Sequence, residues 1–231
     1  MTTPRVFIIR HGETEWSLNG RHTGTTELPL TANGEKRIRA TGKALVGDDR
    51  LIVPRNLAHI YVSPRHRAQR TFELLGVVPT TCGLPWNAHG EPGDPNCETI
   101  AKVEVTEDAR EWDYGDYEGL TSKTIREQRR ERKEGDWDIW RDGCPGGESP
   151  EEVTARLDRL IADIRTRFHG PALTKPKTTP SGTIGKECVP NDVLVVAHGH
   201  ILRAFAARWV GANVAHNPSL ILEAGGVGTL R

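Results

Sequence analysis

Arg10, His11 and Gly12 end a short apolar run, Val6-Phe7-Ile8-Ile9, and His198 and Gly199 end another, Val193-Leu194-Val195-Val196-Ala197. Short, β-rich apolar runs of this kind read as buried strands. A guanidinium and two imidazoles would then stand at the C-terminal edges of strands, where open α/β sheets bind ligands. Brought together from the two ends of the chain, they form a cationic pocket suited to a phosphoryl group. For either histidine taken singly, a hydrogen-bonded structural role is the alternative.

Three further stretches carry chemistry. Arg65, Arg67 and Arg70 crowd the first turns of a helix predicted to open at Ser63-Pro64, with serine as the cap and proline in the first turn. Cations there oppose the helix dipole, so their placement calls for an anion among them, a solvated basic face being the alternative. Residues 16–30 contain Gly20, Gly24 and Pro29 and predict a loop over the site, where Thr23 and Gly24 offer a hydroxyl and an open backbone amide. Residues 110–120 interleave aromatic side chains and carboxylates with glycines, a pattern for a substrate pocket rather than a core strand. On the residues alone, the choice among Glu111, Asp113, Asp116 and Glu118 stays open. A buried helix predicted over residues 201–209 would add two N-terminal amides to the anion site.

Arg10-His11-Gly12-Glu13-Thr14 resembles the signature of the histidine phosphatase superfamily, the phosphoglycerate-mutase-like enzymes. The run from Ser63 to Thr71 is similar to the family's second arginine motif, and Gly147-Glu148-Ser149 to its Gly-Glu-Ser motif. The resemblance implies a three-layer α/β/α fold with a mostly parallel central sheet. It implies that His11 is phosphorylated, that Arg10, Arg67 and His198 hold the phosphoryl oxygens, and that Glu111 is the acid/base. Thr23, Gly24 and Tyr114 would touch substrate, with Gly199 beside them. No divalent metal or other cofactor is implied.

Residues 111–119, 139–144 and 224–228 look most like sugar-phosphate phosphatases of the sedoheptulose-1,7-bisphosphatase type. Phosphoglycerate mutases normally have asparagine where Ser17 stands and a longer insertion with paired arginines between Glu111 and Gly147. The expected activity is therefore metal-independent hydrolysis of a sugar bisphosphate, with cofactor-dependent phosphoglycerate mutase as the enzymatic alternative and a vestigial phosphate-binding or protein-interaction member as the non-enzymatic one.

The scaffold follows from patterning. Beyond the two strands named, residues 58–62 and 101–105 predict strands, and residues 220–222 and 226–230 two closing ones. Thr31 predicts the cap of a helix over 32–46, Thr121 or Ser122 that of a charged helix to about 133, and Ser149-Pro150-Glu151-Glu152 that of a long helix with apolar positions from Val153 to Ile164. Trp137 and Trp140 read as loop anchors or as a substrate wall. At 231 residues the chain fits one domain, with surface insertions at about 78–99 and 171–190.

Thirty-one basic residues balance 31 acidic ones, so no overall field favours nucleic acid or anionic membrane. No apolar run reaches the roughly 20 residues of a membrane span, and Met1-Thr2-Thr3-Pro4 lacks the apolar stretch of a signal peptide. The expectation is a soluble, intracellular protein acting on a phosphorylated small molecule. Cys82, Cys97, Cys144 and Cys188 are scattered, without zinc-site spacing. Cys82 and Cys97 could pair across a loop, but free thiols are expected in a reducing compartment.

Overall fold

The computed structural model describes residues 3–78, 83–86, 101–174, 190–216 and 219–231. Five strands form one sheet in the order β3-β2-β4-β1-β5: β1 Val6–Arg10, β2 Leu57–Val62, β3 Lys102–Val105, β4 Asp192–Ala197 and β5 Val227–Leu230. Three of the four pairings are parallel, and the edge strand β5 runs antiparallel along β1. Side chains alternate across the sheet. Val6, Ile8, Val193 and Val195 enter one core with Leu157, Leu160 and Phe205, while Phe7, Ile9, Leu194 and Val196 enter another with Ile38, Phe72 and Leu75. Helices α2 (Ala32–Leu45) and α3 (His66–Leu75) therefore cover one face, and α6 (Pro150–Ile164) and α8 (Gly199–Trp209) the other. This is the expected three-layer α/β/α arrangement.

Caps set several boundaries. The Thr31 side chain accepts from the Gly34 amide at the start of α2, and Ser149 and Glu152 close a reciprocal capping box on α6. Thr121 caps α4 (Ser122–Glu131). Trp137 precedes the one-turn α5 (Ile139–Asp142) and Trp140 lies within it; both are buried, and the Trp137 indole N–H donates to the Gly143 carbonyl, so both are anchors of this segment on the core. Beyond α6 the chain makes a wider turn over Arg165–His169 and a last helix, α7, Gly170–Thr174.

Three local expectations are corrected. The loop predicted over 16–30 begins with a short helix, α1 (Glu15–Asn19), because Thr14 and Ser17 bond each other's backbone amides. Helix α3 starts at His66 with Arg65 at the cap position and no side-chain cap; the Ser63 hydroxyl accepts from His198 Nε2 at 2.7 Å and from the Arg65 amide, ahead of the helix. Residues 220–222 form no strand: the Leu222 carbonyl accepts from Arg10, and a turn at Gly225 leads directly into β5. Most of the two predicted insertions, and with them Cys82, Cys97 and Cys188, lies outside the described residues; Cys144 is a buried free thiol. Among the described residues no helix is long and apolar enough to cross a membrane.

Helices α2 and α3 touch at Gly42, where an added Cβ would lie 2.4 Å from the Leu75 carbonyl oxygen. Gly42→Ala is expected to destabilise the fold by about 1–3 kcal/mol through overpacking, read as a lower urea midpoint.

Candidate active site

Parallel pairing sets Arg10 opposite Ala197, and the His11 amide donates to the Ala197 carbonyl at 2.9 Å. The next residue on each strand is thus a histidine, and the His11 and His198 rings lie 5.1 Å apart. The His11 Nδ1–H donates to the Gly12 carbonyl at 2.7 Å, which leaves the lone pair of the neutral ring on Nε2. Burial, then the charges of Arg67 and Arg10, push the His11 pKa down to about 3. Arg10 lies against Gly199, where a Cβ would approach its guanidinium carbon to 3.2 Å, and donates to the Leu222 carbonyl at 2.8 Å.

Arg67 and His198, both fully buried, form a pair behind this surface. Arg67 Nε donates to His198 Nδ1 at 3.2 Å, so His198 is neutral and its Nε2–H donates to Ser63 Oγ at 2.7 Å. The remaining guanidinium nitrogens of Arg67 donate to the carbonyls of Thr23, Gly24 and Thr26 at 2.9–3.1 Å. Those carbonyls are presented by Glu118, whose carboxylate accepts from the Gly24 and Thr26 amides. The anion demanded by the basic start of α3 is a carboxylate of the chain: Glu27 accepts from the His66 amide and pairs with Arg65, while Arg70 pairs with Glu35 and Glu73.

Glu111 is buried and takes the α8 N-terminus. Its carboxylate accepts from the Ile201 amide at 2.9 Å, the His200 amide at 3.2 Å and the Trp112 amide at 2.9 Å. The two amides predicted to serve the anion site therefore serve Glu111. Burial raises its pKa against these bonds and the charge of Arg67. Tyr114 is raised well above the usual tyrosine value by burial, so its O–H is kept, and the hydroxyl shares a 2.7 Å hydrogen bond with His200 Nδ1.

Six predicted residues, Arg10, His11, Thr23, Glu111, Tyr114 and Gly199, line a single cavity of about 200 Å³. Arg67, His198 and Gly24 do not line it. The cavity also holds Arg21, His22, His200 and Arg203, which sequence reasoning missed. Signals for them existed: His22 precedes Thr23-Gly24, His200 completes His-Gly-His, and Arg203 follows one helical turn on. Ser17 lines the cavity as well as closing its capping box. Among the described residues no group of three His, Cys, Asp or Glu side chains is placed to hold a metal ion.

Residues 6–85 and 96–173 match the family model of the histidine phosphatase superfamily (branch 1). The chain belongs to that superfamily. It is 34% identical to sedoheptulose 1,7-bisphosphatase of Saccharomyces cerevisiae over 99% of this chain and 87% of the relative. It is 34% identical to an acid phosphatase of Mycobacterium tuberculosis over 97% and 84%. A 2,3-bisphosphoglycerate-dependent phosphoglycerate mutase of Beijerinckia indica is 28% identical over 95% and 87%. The solved structure of a Mycobacterium tuberculosis open reading frame superimposes with a TM-score of 0.70 at 31% identity, over 99% of this chain and 91% of that one. With phosphatases more similar than the mutase, this histidine phosphatase is a phosphoric monoester hydrolase.

Four site imidazoles are held neutral. Burial is the largest cause in each, lowering His11 and His200 to about 3, His22 to about 4, and His198 well below 6.5. In the unfolded chain each takes up a proton near its ordinary value, so below about pH 6.5 the unfolded state binds more protons and stability falls with pH. Urea denaturation should show a lower midpoint at pH 5 than at pH 7, and little change between pH 7 and 8.

Proposed function

We propose that this histidine phosphatase hydrolyses a sugar bisphosphate of the sedoheptulose 1,7-bisphosphate class through a phosphohistidine at His11. The observation that carries the mechanism is the state of His11: a neutral ring with Nδ1–H spent on Gly12 and the Nε2 lone pair available, in a cavity it shares with Arg10, Glu111 and Tyr114. Nε2 attacks phosphorus, the ester P–O bond breaks, and the departing oxygen takes the proton of Glu111. Water then gives a proton back to Glu111 as its oxygen attacks phosphorus, the P–N bond breaks, and inorganic phosphate leaves.

Charge on the equatorial oxygens must be neutralised throughout. Arg10 is in the cavity to do so directly. Arg67 and His198 were expected to grip the oxygens; with their nitrogens bonded to protein atoms, their part in this reading is the field of Arg67 on His11 and the support of the Thr23–Thr26 turn. Thr23, Tyr114 and Gly199 meet the substrate. Gly24 acts through Glu118. The chain's own guanidinium groups supply the cations, so the mechanism calls on no divalent metal. Residues 1–231 are taken as one domain built around this site.

Two observations support a bisphosphate. The yeast relative bears that name over nearly the whole chain. Three arginines, Arg10, Arg21 and Arg203, also line one small cavity, more cationic charge than a single phosphoryl group requires. The test is phosphate release from a panel of sugar mono- and bisphosphates, run beside interconversion of 3- and 2-phosphoglycerate with 2,3-bisphosphoglycerate as primer. Release from a sugar bisphosphate is expected; interconversion without release would make the chain a mutase. His11→Ala should lower turnover by on the order of 10³-fold or more with an unchanged urea midpoint, and quenched enzyme should carry phosphate on His11 by mass spectrometry. EDTA should leave the rate unchanged.

A further inference from the structure

The Gly147-Glu148-Ser149 motif has no part in the chemistry above, yet it enters the most densely bonded buried ion pair among the described residues. Arg156, on the second turn of α6 and 2% exposed, meets Glu148 twice, Nε to Oε1 at 2.8 Å and Nη2 to Oε2 at 2.9 Å. Its guanidinium also donates to three backbone carbonyls of the segment that carries Glu111: Asp108 and Arg110 at 2.9 Å, and Glu111 itself at 3.3 Å. Glu148 meets the same segment from the other side. Its carboxylate accepts from the Arg110 guanidinium at 2.7 Å and the Asp113 amide at 3.0 Å, its own amide donates to the Asp113 carbonyl, and its carbonyl accepts from the Trp112 indole.

We propose that Glu148 and Arg156 are positioning residues for Glu111, fixing the main chain of residues 108–113 so that the carboxyl group stays in line with the departing oxygen. This rests on the reading of Glu111 as the proton donor. A buried ion pair contributes little net stability compared with apolar residues of similar volume, so stability alone gives no reason for this one. What an apolar pair cannot supply is a planar fork of donors for carbonyls 108, 110 and 111 with an acceptor for amide 113. Residues 110–114 belong to no strand and carry only irregular backbone bonds, so the main chain there has no ladder to hold it. The division of labour is physical: α8 amides hold the Glu111 carboxylate, and the pair on the entry to α6 holds its backbone. A displacement of about 1 Å at such a group can cost 10²-fold in rate.

The test uses the full chain with Arg156→Lys and Glu148→Gln, and Glu111→Gln as the reference. For each, kcat/KM is measured on an alkyl phosphate, the sugar phosphate found to be hydrolysed, and on p-nitrophenyl phosphate, whose phenolate leaves without needing a proton. This ratio reports the steps up to phosphorylation of His11. Both positioning variants should lose about 10- to 100-fold on the alkyl ester and less than about 3-fold on the aryl ester, with the loss in Arg156→Lys no longer seen when Glu111→Gln is already present. If Arg156→Lys does not fold by urea denaturation, the near-isosteric Glu148→Gln decides. Equal losses on the two esters in a folded variant, or no loss on either, overturn the proposal. An equal loss in Glu111→Gln itself would instead overturn the acid role of Glu111, a distinct result read from a distinct variant.

Discussion

The parallel pairing of β1 with β4 is the constraint on which the site depends. It registers Arg10 against Ala197 and so places the first residue beyond each strand, His11 and His198, side by side. Neither strand end alone has the chemistry. Each residue that follows is set by what lies over that junction: Thr71 on α3 accepts from the Gly12 amide, the Gly225 amide donates to the His11 carbonyl, and Arg67 reaches across to His198. A sheet with both faces covered buries the junction, and burial is the largest cause holding the imidazoles neutral, the nearby guanidinium charges acting in the same direction.

A neutral chain concentrates charge locally by satisfying it internally everywhere else. Both helix N-termini that face the site are occupied by carboxylates of the protein, Glu27 at α3 and Glu111 at α8. Glu118 and Glu148 hold loops through backbone amides, and Arg67 and Arg156 hold them through backbone carbonyls. These buried ionic groups shape irregular segments, which have no ladder of their own. In the mechanism proposed above, the side chains lining the cavity contact the substrate, while their charged neighbours one layer back set geometry and field.

Local patterns in the sequence carried most of the scaffold. The apolar runs before His11 and His198, the Thr31 cap and the Ser149 capping box each depend on neighbours a few residues away, and each predicted its element. What was illegible depends on distant partners. The Ser63 hydroxyl fits a helix cap but bonds His198 ahead of the helix, residues 220–222 fit a strand until Arg10 takes the Leu222 carbonyl, and the α8 amides fit an anion site until Glu111 fills it. Family resemblance located the six cavity residues by motif. It could not tell that Arg67 and His198 would be sealed behind them, or that His22, His200 and Arg203 would share the space, because both follow from how loops close over the sheet.

Among the five strands β1 is synthesised first, whereas both its neighbours, β4 and β5, are the last two. While the ribosome is still making the middle of the protein, Val6–Ile9 therefore has two unpaired edges, the kind of surface that templates aggregation. The α2–α3 layer can shield one face of it, but no hydrogen-bonding partner exists until residues 192–230 emerge. Maturation of this enzyme is thus a late, long-range event of the slow kind that high sequence separation imposes. The nascent polypeptide cannot bring His11 beside His198 until residues 192–198 have been made.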